Sequence, residues 1–168
     1  LPFGGSWSVQ AAGSEGDIQI GWENGLTTNW ALSEGGLSAS KDVTVTGATY
    51  VLQLNNLSFN PSKGWDQKEL SYSFGDSLDV SAYSNLAYDL YVPLAAFKSG
   101  KLALKTILEP NWSELNYVDN LDMAAQPKET INGIDYAVIH QSMAMNGLTV
   151  KNKLLMQIVG QSADFSGQ

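Results

Sequence analysis

The sequence predicts an all-β fold, a β-sandwich of two antiparallel sheets. Short runs of alternating apolar and polar residues recur along the chain. Gly, Asn, Ser and Pro turns separate them, and helical periodicity is nearly absent. Ile18-Gln-Ile20 opens the pattern. Residues 42–58 read as strand, with Val43, Val45, Tyr50, Leu52 and Leu54 at strand spacing and Gly47 dividing the run. Leu70 to Phe74 alternates, as does Leu86 to Val92, ended by Pro93. Leu102 to Leu108 runs toward Pro110. Thr130-Ile131 and Ile134 to Met145 flank Asn132-Gly133, a pair suited to the positive φ angles of a type I′ hairpin. Leu154 to Val159 is the last clear strand. Only Pro93 to Lys98 and Tyr117 to Ala125 have room for a helical turn. Residues 1–16 are Gly/Ser/Ala-rich and weakly patterned, so an irregular N-terminal arm is expected there, with residues 17–168 forming the module.

Composition narrows function more than fold. A chain of 168 residues, 43% apolar, can bury one domain core. Only 15% of residues are charged, so Ser, Asn, Gln and Thr carry the polarity. Net charge is −8, and the 9 basic residues are all Lys. Nucleic acid and anionic membrane both need basic surface, so neither is an expected partner. Without Arg, bidentate recognition of phosphate or carboxylate is disfavoured as well. A neutral, hydroxyl-rich ligand suits this balance. The lack of cysteine removes disulfides, thiolate metal sites and cysteine nucleophiles. No apolar run approaches the ~20 residues of a membrane-spanning helix. A chain that opens on Leu1 is expected to be one module of a larger protein.

Signatures of catalysis are weak. His140, in Tyr136-Ala-Val-Ile-His140, reads as a structural or face residue of a strand. No Ser-His-Asp arrangement or HExxH-type metal cluster can be placed. Glu109 and Glu114 flank Trp112 and are the kind of pair a glycosidase uses. Among 17 acidic residues, such a pair is also expected by chance.

The tryptophans carry more. Trp65 lies in Phe59-Asn-Pro-Ser-Lys-Gly-Trp-Asp-Gln67 and Trp112 in Glu109-Pro-Asn-Trp-Ser-Glu114. Each has turn formers and hydrogen-bonding groups for neighbours, which suits display on a surface. Display forfeits apolar burial, so a ligand is the expected reason, and a flat ring in a polar setting suits a sugar. Trp22 reads as core, Trp30 as core or surface, and Trp7 lies in the unpatterned arm. In the last strand Lys153, Leu155, Gln157, Val159 and Gln161 share one face, and Leu154, Met156 and Ile158 the other. The second set suits the core; the first is either a solvated outer face or the lining of a groove.

These segments, with Asn111-Trp-Ser-Glu-Leu115, Ile131 to His140, Leu155-Met-Gln-Ile-Val-Gly-Gln161, Tyr88 to Pro93 and Trp22-Glu-Asn-Gly25, are similar to those of the family 27 carbohydrate-binding modules. The resemblance runs in order from about Asp17 to Gln168. It implies a β-jelly-roll fold and a non-catalytic module. The implied ligands are β-1,4-mannan, galactomannan and manno-oligosaccharides, and the implied partner is the covalently linked catalytic domain of a secreted, extracellular bacterial mannanase. It also implies a platform of three tryptophans: Trp65 and Trp112 match two positions, and Trp30 falls in the region of the third. Gln67, Glu114, Gln157 and Gln161 are the expected contacts to sugar hydroxyls, and His140 is expected on the groove face. Two alternatives stay open. One is a module for another β-glycan, glucan or xylan; the other is a jelly-roll glycosidase or lyase using Glu109 or Glu114.

Two departures from the family pattern bear on the fold. Family members continue into a further strand beyond the region of Gln161, whereas this sequence stops at Gln168. A missing strand leaves an unpaired edge. Either the domain continues beyond Gln168, which is the favoured expectation, or residues 1–16 fill the gap. Modules of this kind also often hold a structural Ca²⁺, which takes ~6–8 oxygen ligands. Glu23 is the candidate ligand here, and the aspartate expected in the last strand is absent.

Overall fold

Alternating apolar residues need a second sheet to cover them, and the chain supplies two. The computed structural model describes residues 2–11, 17–20, 27–40, 51–81, 83–145 and 147–167, with backbone alone at 2–11, 17–20, 37–40, 51 and 167. The strands are β1 (Pro2–Ala11), β2 (Asp17–Ile20), β3 (Trp30–Leu32), β4 (Gly36–Ser40), β5 (Val51–Asn55), β6 (Leu57–Phe59), β7 (Asp66–Asp79), β8 (Tyr83–Pro93), β9 (Phe97–Glu109), β10 (Ser113–Leu121), β11 (Lys128–Ile131), β12 (Ile134–Ala144) and β13 (Val150–Gly167). One antiparallel sheet of 7 strands runs β11-β12-β8-β1-β5-β4, with β2 on β1. The other, of 6 strands, runs β10-β9-β13-β7-β3, with β6 on β13. The expected β-sandwich is thus the observed fold.

The core lies between the sheets and follows strand parity. Leu86, Tyr88, Leu90 and Val92 of β8 and Ala137, Ile139 and Met143 of β12 point inward from the first sheet. Leu70 of β7, Leu102, Leu104 and Leu108 of β9, and Leu154, Met156 and Ile158 of β13 meet them from the second. Tyr88 carries its hydroxyl into this layer, 3.4 Å from the Thr106 hydroxyl. Burial pushes its ionisation up to about 12, with Thr106 opposing weakly.

Most expected elements appear, with extended ends. The Asn132-Gly133 turn has φ of 51° and 76°, as a type I′ hairpin requires, and joins β11 to β12. The helical turns are two one-turn 3-10 helices, Leu94–Ala96 and Met123–Ala125, the second capped by Asp122 accepting from the Ala124 amide at 3.1 Å. Tyr117 to Leu121 belong to β10 instead of a turn. The expected strand over residues 43–50 falls outside the described residues.

The N-terminal expectation needs correction. Residues 2–11 form no irregular arm; they are β1, seated inside the first sheet between β8 and β5. Both of its edges are bonded, so backbone pairing holds a segment whose Gly- and Ser-rich sequence gives little alternation to read.

Candidate functional site

The outer face of the 6-stranded sheet carries Trp65, and the β9–β10 turn at its end carries Trp112. Trp65 ends the loop between β6 and β7, which is pinned at several points. Asp66 Oδ2 accepts from the Asn60 amide at 2.8 Å, Asn60 Oδ1 accepts from the Ser62 amide at 2.9 Å, and the Ser162 amide donates to the Lys63 carbonyl at 2.9 Å. Asp66 is buried and bonded to Lys68 at 3.3 Å, and Lys68 also pairs with Glu34. Burial by itself raises the Asp66 carboxyl, but the Asn60 amide and Lys68 outweigh it and hold it below the usual range. Burial likewise lowers Lys68, yet Glu34 and Asp66 outweigh it and raise the ammonium above its usual value.

This loop fixes a ring that is 44% exposed. The indole Nε1 donates to Gln67 Oε1 at 3.1 Å. Its ring lies 6.2 Å from that of Tyr117, tilted by 48°. Tyr117 is on β10, and β13 and β9 stand between β10 and β7. Three strand spacings are about 14 Å, so the two side chains reach toward each other over the sheet.

Beneath it runs a register row across four strands: Tyr117 opposite Lys105, Lys105 opposite Gln157, Gln157 opposite Glu69. Glu69 Oε1 accepts from Gln67 Nε2 at 2.9 Å and from Gln157 Nε2 at 3.3 Å. The Glu69 amide donates to Ser33 Oγ, and the Ser33 amide to the Glu69 carbonyl, both at 2.9 Å. Lys105 Nζ bonds Glu114 Oε1 at 3.3 Å and lies 5.0 Å from the Tyr117 ring centre and 5.9 Å from that of Trp65. Two residues further along the strands comes the row Glu114, Ile107, Leu155, Ser71 and Ala31. Ala103, Ile107, Leu155 and Val159 are buried on this face, though they belong to neither hydrophobic cluster of the interior. The face is therefore an apolar floor under polar and aromatic groups.

Trp112, 51% exposed, stands at the far end on the β9–β10 turn. The Glu109–Pro110 peptide is cis, and Asn111 and Trp112 have φ of 69° and 43°. Positive φ is strained for a bulky residue, so something must hold the turn. Lys151 does: it is buried, and its Nζ donates to the Pro110 carbonyl and to Ser113 Oγ, both at 2.7 Å. Beside Trp112 the face dips into a depression lined by Ser73, Gly75, Glu109, Pro110, Asn152 and Lys153.

The outer face is thus open and polar, with exposed Trp65 over it and exposed Trp112 on the turn at its end. The family described as carbohydrate binding module 27 matches residues 18–168. This chain belongs to that family. Among solved structures, the module is similar to Caldicellulosiruptor saccharolyticus CBM27-1 in complex with mannohexaose. The identity is 30%, the TM-score 0.78, and the likeness covers 87% of this chain and 88% of that one. TmCBM27, described for specific mannan recognition, shares the fold at 21% identity and a TM-score of 0.62, over 84% of this chain and 83% of that one. CBM28, described as specific for non-crystalline cellulose, shares it at 13% identity and a TM-score of 0.63, over 87% and 86%. Among curated proteins, none matches the module.

The module brings together Trp65, Gln67, Gln157 and Glu114 on one face, with exposed Trp112 on the β9–β10 turn at the end of that sheet. Gln161 lies at its edge, where Oε1 accepts from the Asn120 amide at 2.8 Å and so ties down β10. Trp30 does not join them. It pairs in register with Tyr72 on the inner side of the sheet, 8% exposed, with ring centres 4.8 Å apart. Strand parity sends it into the core, a fate its loop-like sequence did not disclose. His140 is also elsewhere. It is on β12 of the other sheet, facing outward opposite Asp89, with Nδ1 2.6 Å from Asp89 Oδ1. Glu23, Trp22 and the side chain of Trp7 lie outside the described residues.

Tyr117, Lys105 and Glu69 were missed by the sequence reading. Glu69 was legible as the next same-face neighbour of Gln67 in a strand. Tyr117 was hidden by a register shift between Glu114 and Asn116, which puts Glu114 and Tyr117 on one face despite their odd spacing.

Proposed function

We propose that this module binds β-1,4-mannan, galactomannan and manno-oligosaccharides along the outer face of the 6-stranded sheet. The observation that carries the reading is exposed Trp65 bonded into an amide–carboxylate network on the outer face, with a second exposed tryptophan, Trp112, on the turn at the end of the sheet. The 30%-identical relative, whose complex with mannohexaose is described, supports the choice of mannan among β-glycans. Sugar C–H faces stack on Trp65 and Trp112, where apolar burial and the ring quadrupole both contribute. Gln67, Gln157 and Glu114 offer donors and acceptors to the hydroxyls between them, already oriented by their bonds to Glu69 and Lys105. The four steps from Lys105 to Glu109 span about 13 Å along the strand, longer than one hexose, so the ligand is an extended chain.

In this reading the module is non-catalytic. Its parent is a secreted bacterial mannanase, which it holds at the polysaccharide by raising the local concentration of substrate. The calcium expectation rests on Glu23, which is not described. Among the described residues no three acidic or histidine side chains come together as a metal cluster. Calorimetric titration of the isolated module with mannohexaose, cellohexaose and xylohexaose tests the reading. Saturable binding of mannohexaose at least tenfold tighter than of the others is expected. Equal affinity for cellohexaose, or no binding of mannohexaose, refutes it.

A further inference from the structure

The outer face holds a third large aromatic surface that the tryptophan pattern does not contain. Tyr117 is 45% exposed in β10, an edge strand, where a polar or charged side chain would protect better against unwanted pairing. Its ring does not extend the plane of the Trp65 indole: the two meet 6.2 Å apart at 48°. Lys105 sits against both rings, at 5.0 Å and 5.9 Å, and its charge is answered by Glu114 at 3.3 Å. The rings therefore form a corner whose walls are apolar and whose base is an ion pair closed on itself. The tilt is held from both sides, by the Trp65–Gln67 hydrogen bond of 3.1 Å and by the pairing of Tyr117 with Lys105 across the strands.

Successive rings of a β-1,4-linked glycan face different ways, because each unit is turned about the chain axis relative to the last. Two coplanar platforms suit alternate units; two tilted platforms suit adjacent ones. We infer that Tyr117 is a stacking residue of the binding face, forming with Trp65 an aromatic corner that holds two adjacent neutral sugar units. Lys105 at the base is already paired with Glu114, so it offers no unanswered charge to a uronic acid, and the units are neutral hexoses. This inference rests on the mannan-binding reading and adds a contact residue to it.

The test compares Tyr117→Ala, Tyr117→Phe and Trp112→Ala by calorimetric titration with mannohexaose, with circular dichroism to confirm folding. Tyr117→Ala should weaken binding about three- to tenfold, the scale of one aromatic contact, and Tyr117→Phe by less than about twofold. Nuclear Overhauser contacts between the Tyr117 ring and sugar protons should appear in the wild-type complex. If Tyr117→Ala binds as wild type while Trp112→Ala is impaired, the corner is refuted and the mannan reading stands. Weakened binding without contacts from the ring to sugar makes Tyr117 a brace for Trp65 and overturns the inference too. Failure of the wild-type module to bind mannohexaose removes both.

Discussion

At the scale of single residues, Trp65 and Trp112 are set to work in opposite ways. Trp65 lies on a floor that includes Val159, fully buried although no second sheet covers it. Trp112 stands on a turn whose backbone is strained. Trp65→Ala and Trp112→Ala should each cost about 1–4 kcal/mol of mannohexaose binding, as aromatic hot spots do. Titration calorimetry checks this, and unchanged affinity in both variants refutes the assignment of the face. Glu69 joins two amides on one carboxylate oxygen, so Glu69→Ala should free Gln67 and Gln157 to move. Looser side chains lose affinity without loss of any aromatic surface.

At the scale of elements, the aromatic rings are only as well placed as the segments that carry them. The Asp66 carboxylate ties the Trp65 loop, and its ionisation is held below the usual value of 3.8. A group depressed in the folded state stabilises it above that value and loses the contribution as pH falls through the lower, folded value. Acid below about pH 4 should therefore loosen this loop, and Asp66→Asn should show a flatter acid limb in thermal melts. Lys68 is raised above 10.5, so its contribution is complete below that pH and is lost only as pH rises through the higher folded value. For the Trp112 turn the fastening is Lys151. Lys151→Met removes its bonds to Pro110 and Ser113 and should cost about 1.5–3 kcal/mol of stability, the range for hydrogen bonds of a charged donor. Affinity for mannohexaose should fall with it, although Lys151 is buried beneath the turn and not on the open face. Denaturant titration and calorimetry on the same variant measure the two effects.

At the scale of the whole molecule, the sandwich depends on close contact between strands of different length. Gly160 of β13 faces Phe59 of β6, and a Cβ there would meet the ring at 2.7 Å. Gly160→Ala should destabilise by about 1–3 kcal/mol, measured by denaturant unfolding, because Phe59 and its neighbours have to shift within a packed interior. Alternation made most of this architecture legible: Leu154, Met156 and Ile158 face the core as read, and Leu155, Gln157 and Val159 face away. The reading failed where backbone pairing, not side-chain pattern, decides the outcome. β1 has little alternation to betray it, and Trp30 owes its burial to register with Tyr72. In the site, isolated rings in polar loops were legible because their setting is unusual. Tyr117 was not, because a register shift hid its face, and His140 was misplaced because a local motif does not reveal which sheet a strand joins.

The two ends of the binding face are not alike. At one stand a tilted pair of rings and a closed ion pair; at the other stands a lone indole beside a polar depression lined by Ser73, Glu109, Asn152 and Lys153. A glycan also has two unlike ends, reducing and non-reducing. Under the proposed function, a face with this polarity sets the orientation of a bound glycan as well as its place. A paramagnetic tag on the reducing end of mannohexaose should therefore broaden signals near Trp65 or near Trp112, and not near both.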